Sequence, residues 1–298
     1  MRDRTVVLTC GTDVEPGTEA AAARAMAVRA VRTLTGSLAP VQLRSRTGRR
    51  PLGSQAGERV WVSWAHSRAV VAAAASTRPV GVDVETCRPL REREALAERL
   101  RMVGLGGPDD ESCAVIERWC ALESALKALG VGFALPLRRI AFRDEVLELD
   151  GRPTALRRTG ITAGLGPVHH ASVVHQRAPA DLVHVVARSA GPLPFHQLDG
   201  ARPGVFSPPP HQEEVMAAVL DKEELRNLVA DTIDQDVEDV TDDASFVDDL
   251  DVDSLMALEV TMVLERRYKV KLKEERLPEV TSLQAAYDLL SDELKTAS

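Results

Sequence analysis

The sequence predicts an α+β domain followed by an all-α domain. At 298 residues, the chain is longer than one ordinary hydrophobic core supports, so length alone favours two domains. The stretch 189–211 carries six prolines and no periodic apolar pattern, which is typical of a linker. We therefore expect the α+β domain at 1–188, the linker at 189–211 and the helical domain at 212–298.

The front domain alternates strand-like and helix-like patterns, as α+β folds do. Short apolar runs predict strands at 5–9, 60–64, 69–75, 79–84, 140–149, 171–175 and 182–187. Amphipathic spacing predicts helices at 18–34, 90–103 and 111–129. This order of strands and helices is compatible with a domain of two halves, although no internal sequence repeat supports that division.

The tail shows helical periodicity throughout. It predicts a first helix over 212–233, a second that begins near Ser254, and a last one from about Ser282. A long acidic loop separates the first two helices. Several amphipathic helices in fewer than ninety residues are typical of a small helical bundle.

Composition and cysteine usage favour a cytoplasmic protein without a membrane segment. The N-terminus lacks a leader-like apolar run, and no apolar stretch is long enough to span a bilayer. The cysteines Cys10, Cys87, Cys113 and Cys120 form no C-x-x-C pair and have no histidine at zinc-finger spacing. We expect buried free thiols, with neither a disulfide nor a structural zinc site.

The net charge of −8 conceals two oppositely charged parts. Residues 211–298 carry 24 acidic and 9 basic side chains, a net of −15, which leaves +7 on the remainder. A basic domain joined to an acidic one favours a partner of opposite charge, either the tail itself or its relatives. We expect no nucleic-acid partner, because the front domain lacks aromatic platforms and repeated basic stretches.

Ser254 lies where a polar loop gives way to a helical pattern. In residues 248–268, DDLDVDSLMALEVTMVLERRY, apolar residues recur at helical spacing from Leu255 onward. A helix N-cap at Asp253 or Ser254 would account for this boundary without further function. The segment also resembles acyl carrier proteins, in which an Asp-Ser-Leu signature opens the second helix of a four-helix bundle.

That resemblance covers 213–294. It implies an all-α four-helix-bundle carrier domain whose Ser254 hydroxyl holds a 4'-phosphopantetheine arm. It further implies that Glu259 and the acidic residues before Ser254 form the surface that partner enzymes bind.

Two carboxylates alternate with valines in PVGVDVET, residues 79–86. A strand there would bury the valines on one face and place Asp83 and Glu85 on the other. Neighbours on one face lie about 7 Å apart at their Cα atoms, near enough to bind one divalent cation. Taken alone, the pattern is explained more simply by a solvent-facing strand surface.

The helical segment ERWCALESALKALG, residues 117–130, places Glu123 and Lys127 one turn apart. An ordinary surface ion pair has the same spacing. However, Lys127 is the only lysine before Lys222 in a region that otherwise uses arginine. This choice favours a specific role for Lys127.

Together the two segments resemble surfactin-type phosphopantetheinyl transferases over about 1–188. Those enzymes carry a G-(I/V)-D-x-E strand and a W-x-x-K-E-S-x-x-K helix. The resemblance implies an α+β domain of two similar halves in which Asp83, Glu85 and Glu123 hold Mg²⁺ on the pyrophosphate of coenzyme A. Lys127 would contact the phosphates, so that Asp83, Glu123 and Lys127 form the catalytic set.

Two upstream segments strengthen this resemblance. Residues 48–51, GRRP, are similar to the family's G-(K/R)-P element, and residues 63–67, SWAHS, are similar to its N-x-S-H-S element. The resemblance implies that Arg50, His66 and Ser67 bind coenzyme A, with Arg50 and His66 at its 3'-phosphate end. A histidine after a strand is otherwise more often a bystander.

One departure from the family pattern concerns catalysis directly. Leu122 stands where the motif has a lysine before the glutamate, so a basic phosphate contact is missing. The acidic residue that the family carries between its two main motifs also has no clear match. The general base therefore stays open between Glu123 and a metal-bound water.

The resemblance implies transfer of phosphopantetheine from coenzyme A to a carrier serine, with release of adenosine 3',5'-bisphosphate. The carrier would be the fused one, other carriers in trans, or both. Synthase enzymes of polyketide or fatty-acid biosynthesis would then use the loaded carrier. Two alternatives remain at this point, a catalytically impaired front domain that only docks a carrier and an engineered fusion.

Overall fold

The fold is that of a computed structural model of the chain. It describes residues 5–10, 18–46, 49–67, 70–131, 135–161, 169–176, 182–186, 220–247, 249–250 and 252–297. The predicted linker 189–211 lies outside these residues, so the boundaries 1–188 and 212–298 remain predictions.

The first half of the front domain is a six-stranded sheet covered by one helix. The strand order is β11-β1-β5-β4-β3-β2, and β1 pairs with β11 in parallel and with β5 in antiparallel. Small side chains on the helix, including Ala27 and Ala30, let it pack closely on the sheet. The elements are β1 Thr5–Cys10, α1 Glu19–Thr35, β2 Val41–Arg46, β3 Arg49–Gln55, β4 Glu58–Ser67, β5 Val70–Ser76 and β11 Leu182–Val186.

The second half is a five-stranded antiparallel sheet in the order β6-β10-β9-β8-β7. The helix α3 lies against β6 and β10, and α2 packs on α3. A short 3-10 helix, Leu137–Arg139, precedes β7. The elements are β6 Val80–Thr86, α2 Arg93–Met102, α3 Ser112–Leu129, β7 Ile140–Arg143, β8 Val146–Leu149, β9 Arg152–Ile161 and β10 His169–Gln176.

The two sheets share a core made mostly of valine and alanine. Val82 and Val84 of β6 pack with Ala72 and Ala74 of β5 and with Val173 of β10. This packing fixes which face of β6 points away from the first sheet. The predicted α+β class is thus confirmed, with one sheet and its own helices in each half.

Three strands of the structure are not predicted by the sequence pattern. β2, β3 and β9 are rich in arginine and polar residues and lack an alternating apolar pattern, and β2 is an edge strand of its sheet. The predicted strand 140–149 is instead a hairpin of β7 and β8. Its turn is formed by Asp144 and Glu145, which both adopt positive φ.

The tail folds around one apolar core that includes Phe246, Leu225 and Leu264. Its described part has three α-helices and a 3-10 helix, so the predicted bundle is confirmed as a helical domain only. The elements are α4 Lys222–Ile233, α5 Ser254–Tyr268, the 3-10 helix Glu274–Glu279 and α6 Leu283–Ala297. Asp221 caps α4 by accepting from the Glu224 N–H, whereas residues 212–219 of the predicted first helix lie outside the described residues.

The tail packs directly on the front domain. Leu255, Leu258 and Met262 of α5 belong to the same buried cluster as Trp119 and Leu122 of α3. The side chain of Leu122 is 1% exposed in this cluster. The residue that departs from the family motif therefore forms part of an apolar contact between the two domains.

The cysteine prediction is wrong for one pair. Cys87, just after β6, and Cys113, near the start of α3, form a disulfide with Cα atoms 5.1 Å apart. The two cysteines are 26 residues apart in the sequence, a spacing that does not indicate a disulfide. Only the tertiary fold brings these positions together. Cys120 is a buried free thiol, as predicted. None of the described helices combines the length and apolar character needed to cross a bilayer.

Candidate active site

β6 presents its two carboxylates to α3. Since its valines face the first sheet, Gly81, Asp83 and Glu85 face the opposite way. Gly81 permits the close approach of the helix, because a Cβ there would lie 2.0 Å from the Ser124 carbonyl oxygen. Asp83 and Glu85 are each 2% exposed, so the simpler interpretation of a solvent-facing surface is wrong.

Lys127 joins α3 to this strand. Its Nζ donates a hydrogen bond to Asp83 Oδ1 at 2.6 Å. Burial disfavours the ammonium charge, but Asp83 and Glu123 outweigh it and raise the pKa of Lys127. Lys127 therefore stays positively charged at the centre of the carboxylate cluster.

Ser67, at the end of β4, holds the second carboxylate. Its Oγ donates to Glu85 Oε2 at 2.6 Å, and the Thr86 N–H donates to the same Oγ at 3.2 Å. Burial, followed by the carboxylates of Asp253 and Asp83, raises the pKa of Glu85 well above its usual range. Several carboxyl groups are thus crowded together on a buried face.

Glu123 meets the serine of the tail domain. Burial raises the pKa of its carboxyl group, whereas the charge of Lys127 and the neighbouring Ser254 hydroxyl lower it. The net result raises the pKa of Glu123 to about 7. A carboxylate with this pKa can accept a proton from its hydroxyl neighbour near neutral pH.

Ser254 is free for this contact because Asp253 caps the helix. The Asp253 Oδ1 accepts a hydrogen bond from the Met256 N–H at 2.7 Å, which satisfies the first turn of α5. Ser254 is the first residue of α5 and is only half-buried. Of the two N-cap candidates, the structure selects Asp253 and leaves the Ser254 hydroxyl available for chemistry.

Two carboxylate oxygens in the site lack partners among the described residues. Asp83 Oδ2 and Glu123 Oε1 are buried and accept no hydrogen bond there. Buried acceptors without donors are costly, and oxygen atoms of carboxylates are the ligands that hard divalent cations prefer. The residues present therefore fit a cation of the Mg²⁺ type.

A cavity of about 300 Å³ adjoins the serine. His66 and Ser67 line it from the front domain, and Asp253 and Met256 line it from the tail. It lies between the domains, beside the carboxylate cluster. Arg50 belongs to β3, but its side chain lies outside the described part, so its predicted contact with coenzyme A stays a prediction.

Arginines of the front domain hold α5 in place. Arg88 Nη1 bonds to Glu259 Oε2 at 2.5 Å, and the Arg91 backbone N–H donates to Glu259 Oε1 at 2.7 Å. Sequence reasoning missed these arginines, because nothing distinguishes them from others between 88 and 101. The only indication in the sequence was the opposite net charge of the two domains, which does not identify individual residues.

The structure thus unites most of the predicted site. Asp83, Glu85, Glu123 and Lys127 converge on the buried face between β6 and α3, and Ser254 reaches them from the tail. This union depends on contacts between segments that are distant in the chain.

Two family models match the chain in these regions. Residues 79–183, which contain β6 and α3, match the 4'-phosphopantetheinyl transferase superfamily. Residues 223–290, which contain Ser254, match the phosphopantetheine attachment site. Each match falls on one of the two domains that meet at the site.

Relatives of the tail are individual carrier proteins. The Polyketide-8 synthase acyl carrier protein 2 of Streptomyces avermitilis is 58% identical over 81 residues, which are 27% of this chain and 93% of that protein. The acyl carrier protein of Petrotoga mobilis is 39% identical over 72 residues, 24% of this chain and 85% of that protein. The chain therefore belongs to both families, joining a domain of the 4'-phosphopantetheinyl transferase superfamily to a C-terminal acyl carrier protein domain.

Proposed function

We propose that the transferase domain loads the carrier of its own chain, by transferring the 4'-phosphopantetheine arm of coenzyme A to Ser254. The observation that carries this proposal is the packing of α5 on α3, which brings Ser254, the first residue of α5, close enough to the buried Glu123 carboxyl to affect its pKa. A carrier serine that only capped a helix would have no reason to contact a transferase carboxylate.

Glu123 acts as the general base in this proposal. It accepts the Ser254 proton as the serine oxygen attacks the β-phosphorus of coenzyme A. A new oxygen–phosphorus bond forms, the pyrophosphate bond breaks, and adenosine 3',5'-bisphosphate leaves with the electron pair. In the metal-free site the pKa of Glu123 is about 7, which lies in the range of a base near neutral pH.

Asp83, Glu85 and Glu123 are the residues that would hold Mg²⁺. The cation, when bound, would neutralise charge on the pyrophosphate oxygens. The two unpartnered carboxylate oxygens of Asp83 and Glu123 support this assignment. Lys127, which supplies positive charge to the same carboxylates, is then available for the phosphates of coenzyme A.

The cavity beside Ser254 is our candidate for coenzyme A. His66 and Ser67 line it, and it opens next to Asp253. Arg50 remains our proposed contact for the 3'-phosphate. The adenine, the 3'-phosphate and the pantetheine are not assigned individually to parts of the cavity.

The loaded carrier would serve a polyketide-type synthase. The relative from Streptomyces avermitilis is named as a polyketide synthase carrier, and the tail shares 58% of its residues over nearly its whole length. Synthase enzymes are then the downstream partners, and other carriers in trans are further substrates.

The alternative of an impaired docking domain depended on Leu122. That side chain is packed with Leu258 of the docked carrier instead of facing phosphate. The replacement is therefore explained by carrier binding and gives no support for loss of activity.

The test is the intact mass of the unmodified full-length chain after incubation with coenzyme A and Mg²⁺. We expect a gain of one phosphopantetheine arm, absent in Ser254→Ala and in Asp83→Ala. Ser291→Ala and Glu94→Ala, which change similar groups away from the site, should still load. If the chain gains no mass while an unrelated active transferase loads Ser254, the transferase proposal is wrong.

A further inference from the structure

Two ion pairs between the domains follow their overall charges. Arg88 Nη1 lies 2.5 Å from Glu259 Oε2, and Arg99 Nη2 lies 2.6 Å from Glu265 Oε2. In both, the basic transferase supplies the arginine and the acidic carrier supplies the glutamate. Any acidic carrier would satisfy this attraction, which favours encounter but discriminates poorly between carriers.

In a third ion pair the carrier supplies the arginine and the transferase supplies the glutamate. Arg266 of the carrier places its Nη1 2.9 Å from Oε1 of Glu92, which belongs to the transferase. The side chain of Glu92 is 8% exposed in the docked state, whereas that of Arg266 is 71% exposed. The contact therefore buries a carboxylate of the basic domain against a cation of the acidic domain.

The ionised form of the Glu92 carboxyl group is stabilised by Arg266. Burial raises the pKa of its carboxyl group, Arg266 opposes that effect, and the nearby Glu259 adds to it. A carrier with a carboxylate in place of Arg266 would leave Glu92 buried among like charges. Buried charges without a counter-charge are strongly unfavourable, and repulsion of this kind is how interfaces exclude wrong partners.

The recognised pattern lies on one face of α5. Glu259 and Arg266 are seven residues, about two helical turns, apart, so they project from the same side. Both meet the start of α2, where the Arg91 N–H donates to Glu259 and Glu92 pairs with Arg266. Leu258 and Met262 of the same helix belong to the buried apolar cluster that joins the two domains.

We propose that Glu92 is a specificity-determining residue of the transferase domain. It favours carriers that present a cation at the position of Arg266 and rejects carriers with an acid there, whereas Arg88 and the Arg91 N–H bind the acid at the position of Glu259. The inference rests on the proposed function and adds to it the class of carrier that is accepted.

The test exchanges the two charges in the full-length chain. Glu92→Arg and Arg266→Glu are made singly and together, and the single-turnover rate of Ser254 loading is followed by intact mass. Hydrogen exchange of α2 without coenzyme A reports on docking independently of activity. Glu94→Arg and Arg267→Glu are the matched controls, because Glu94 is exposed and Arg267 pairs with Glu224 inside the carrier.

We expect each single reversal to slow loading at least about fivefold and to speed exchange in α2, with the double exchange restoring most of both. The controls should stay within about twofold of the wild type. Single reversals that behave like the controls, or a double variant no better than the slower single one, would overturn the inference. If even the wild type fails to load, the proposed function is wrong, and exchange in α2 still decides whether Glu92 and Arg266 interact.

Discussion

At the scale of residues, the site is a cluster of carboxylates around one lysine and one serine. Asp83, Glu85 and Glu123 are buried together, and Lys127 alone among the described residues brings an ammonium group to them. Ser254 arrives from a domain that begins far along the chain. Burial is the main cause of the raised pKa of Glu123, and the clustered carboxylates account for the preference for a cation.

Replacing Glu123 with glutamine should nearly abolish loading. Glu123→Gln keeps the shape of the side chain but cannot accept a proton from Ser254. We expect a rate at least about a hundredfold lower, measured by single-turnover loading followed with intact mass. Glu117→Gln, on an exposed position of the same helix, is the control. A Glu123→Gln variant that loads within a few-fold of the wild type would exclude Glu123 as the base.

The raised pKa values also predict how stability depends on pH. Glu123 titrates at about 7 in the folded chain against 4.5 ordinarily, so between these values the folded state binds protons that the unfolded state has lost. The free energy of unfolding of the metal-free protein should therefore fall as pH rises from about 4.5 to about 7. Glu85, whose pKa is also raised, likewise makes the free energy of unfolding fall as pH rises.

Urea denaturation in the presence of a chelator, repeated at several pH values in this window, measures that slope. Glu123→Gln should flatten the slope, and Glu117→Gln should leave it unchanged. A free energy of unfolding that rises with pH across the window would show that the carboxyl groups are not held as described.

At the scale of elements, the site depends on the close approach of α3 to β6. Gly81 allows it, because a Cβ at this position would meet backbone atoms of Ser124 and Ala128 at 2.0 and 2.4 Å. The disulfide between Cys87 and Cys113 ties the same two elements together near their ends. Asp83 and Lys127 reach each other only because this spacing is short.

Gly81→Ala should therefore push the helix from the strand. We expect a loss of at least about 2 kcal/mol in the free energy of unfolding, measured by chemical denaturation, because the clash is with backbone that cannot rotate away. Gly160→Ala is a matched control, since Gly160 lies in β9 and a Cβ added there would have no described atom within 4 Å. Equal stabilities of the two variants would contradict the described packing.

The sequence could predict the elements with strong periodicity and the chemistry of the motifs. Asp83, Glu85, Glu123, Lys127 and Ser254 stand in recognisable patterns and were found. β2, β3 and β9 were not, because their polar sequences resemble those of loops. The disulfide and the arginines that bind the carrier were missed for a different reason, since their partners are fixed only by the tertiary fold.

At the scale of the whole molecule, the proposed function makes enzyme and substrate one chain. The docked carrier is held by an apolar contact around Leu258 and by ion pairs that include Arg88 with Glu259. Tethering raises the local concentration of Ser254 at the site, so that modest contacts suffice for efficient loading. The opposite net charges of the two domains also favour docking of the carrier.

The central claim is that Ser254 is loaded within its own chain, and the dependence of the loading rate on protein concentration tests it most directly. Loading is followed by intact mass at saturating coenzyme A and Mg²⁺ over about a hundredfold dilution of the chain. We predict a first-order rate constant that does not change with dilution. A rate constant that falls in proportion to protein concentration would show that separate chains load one another and would contradict the account.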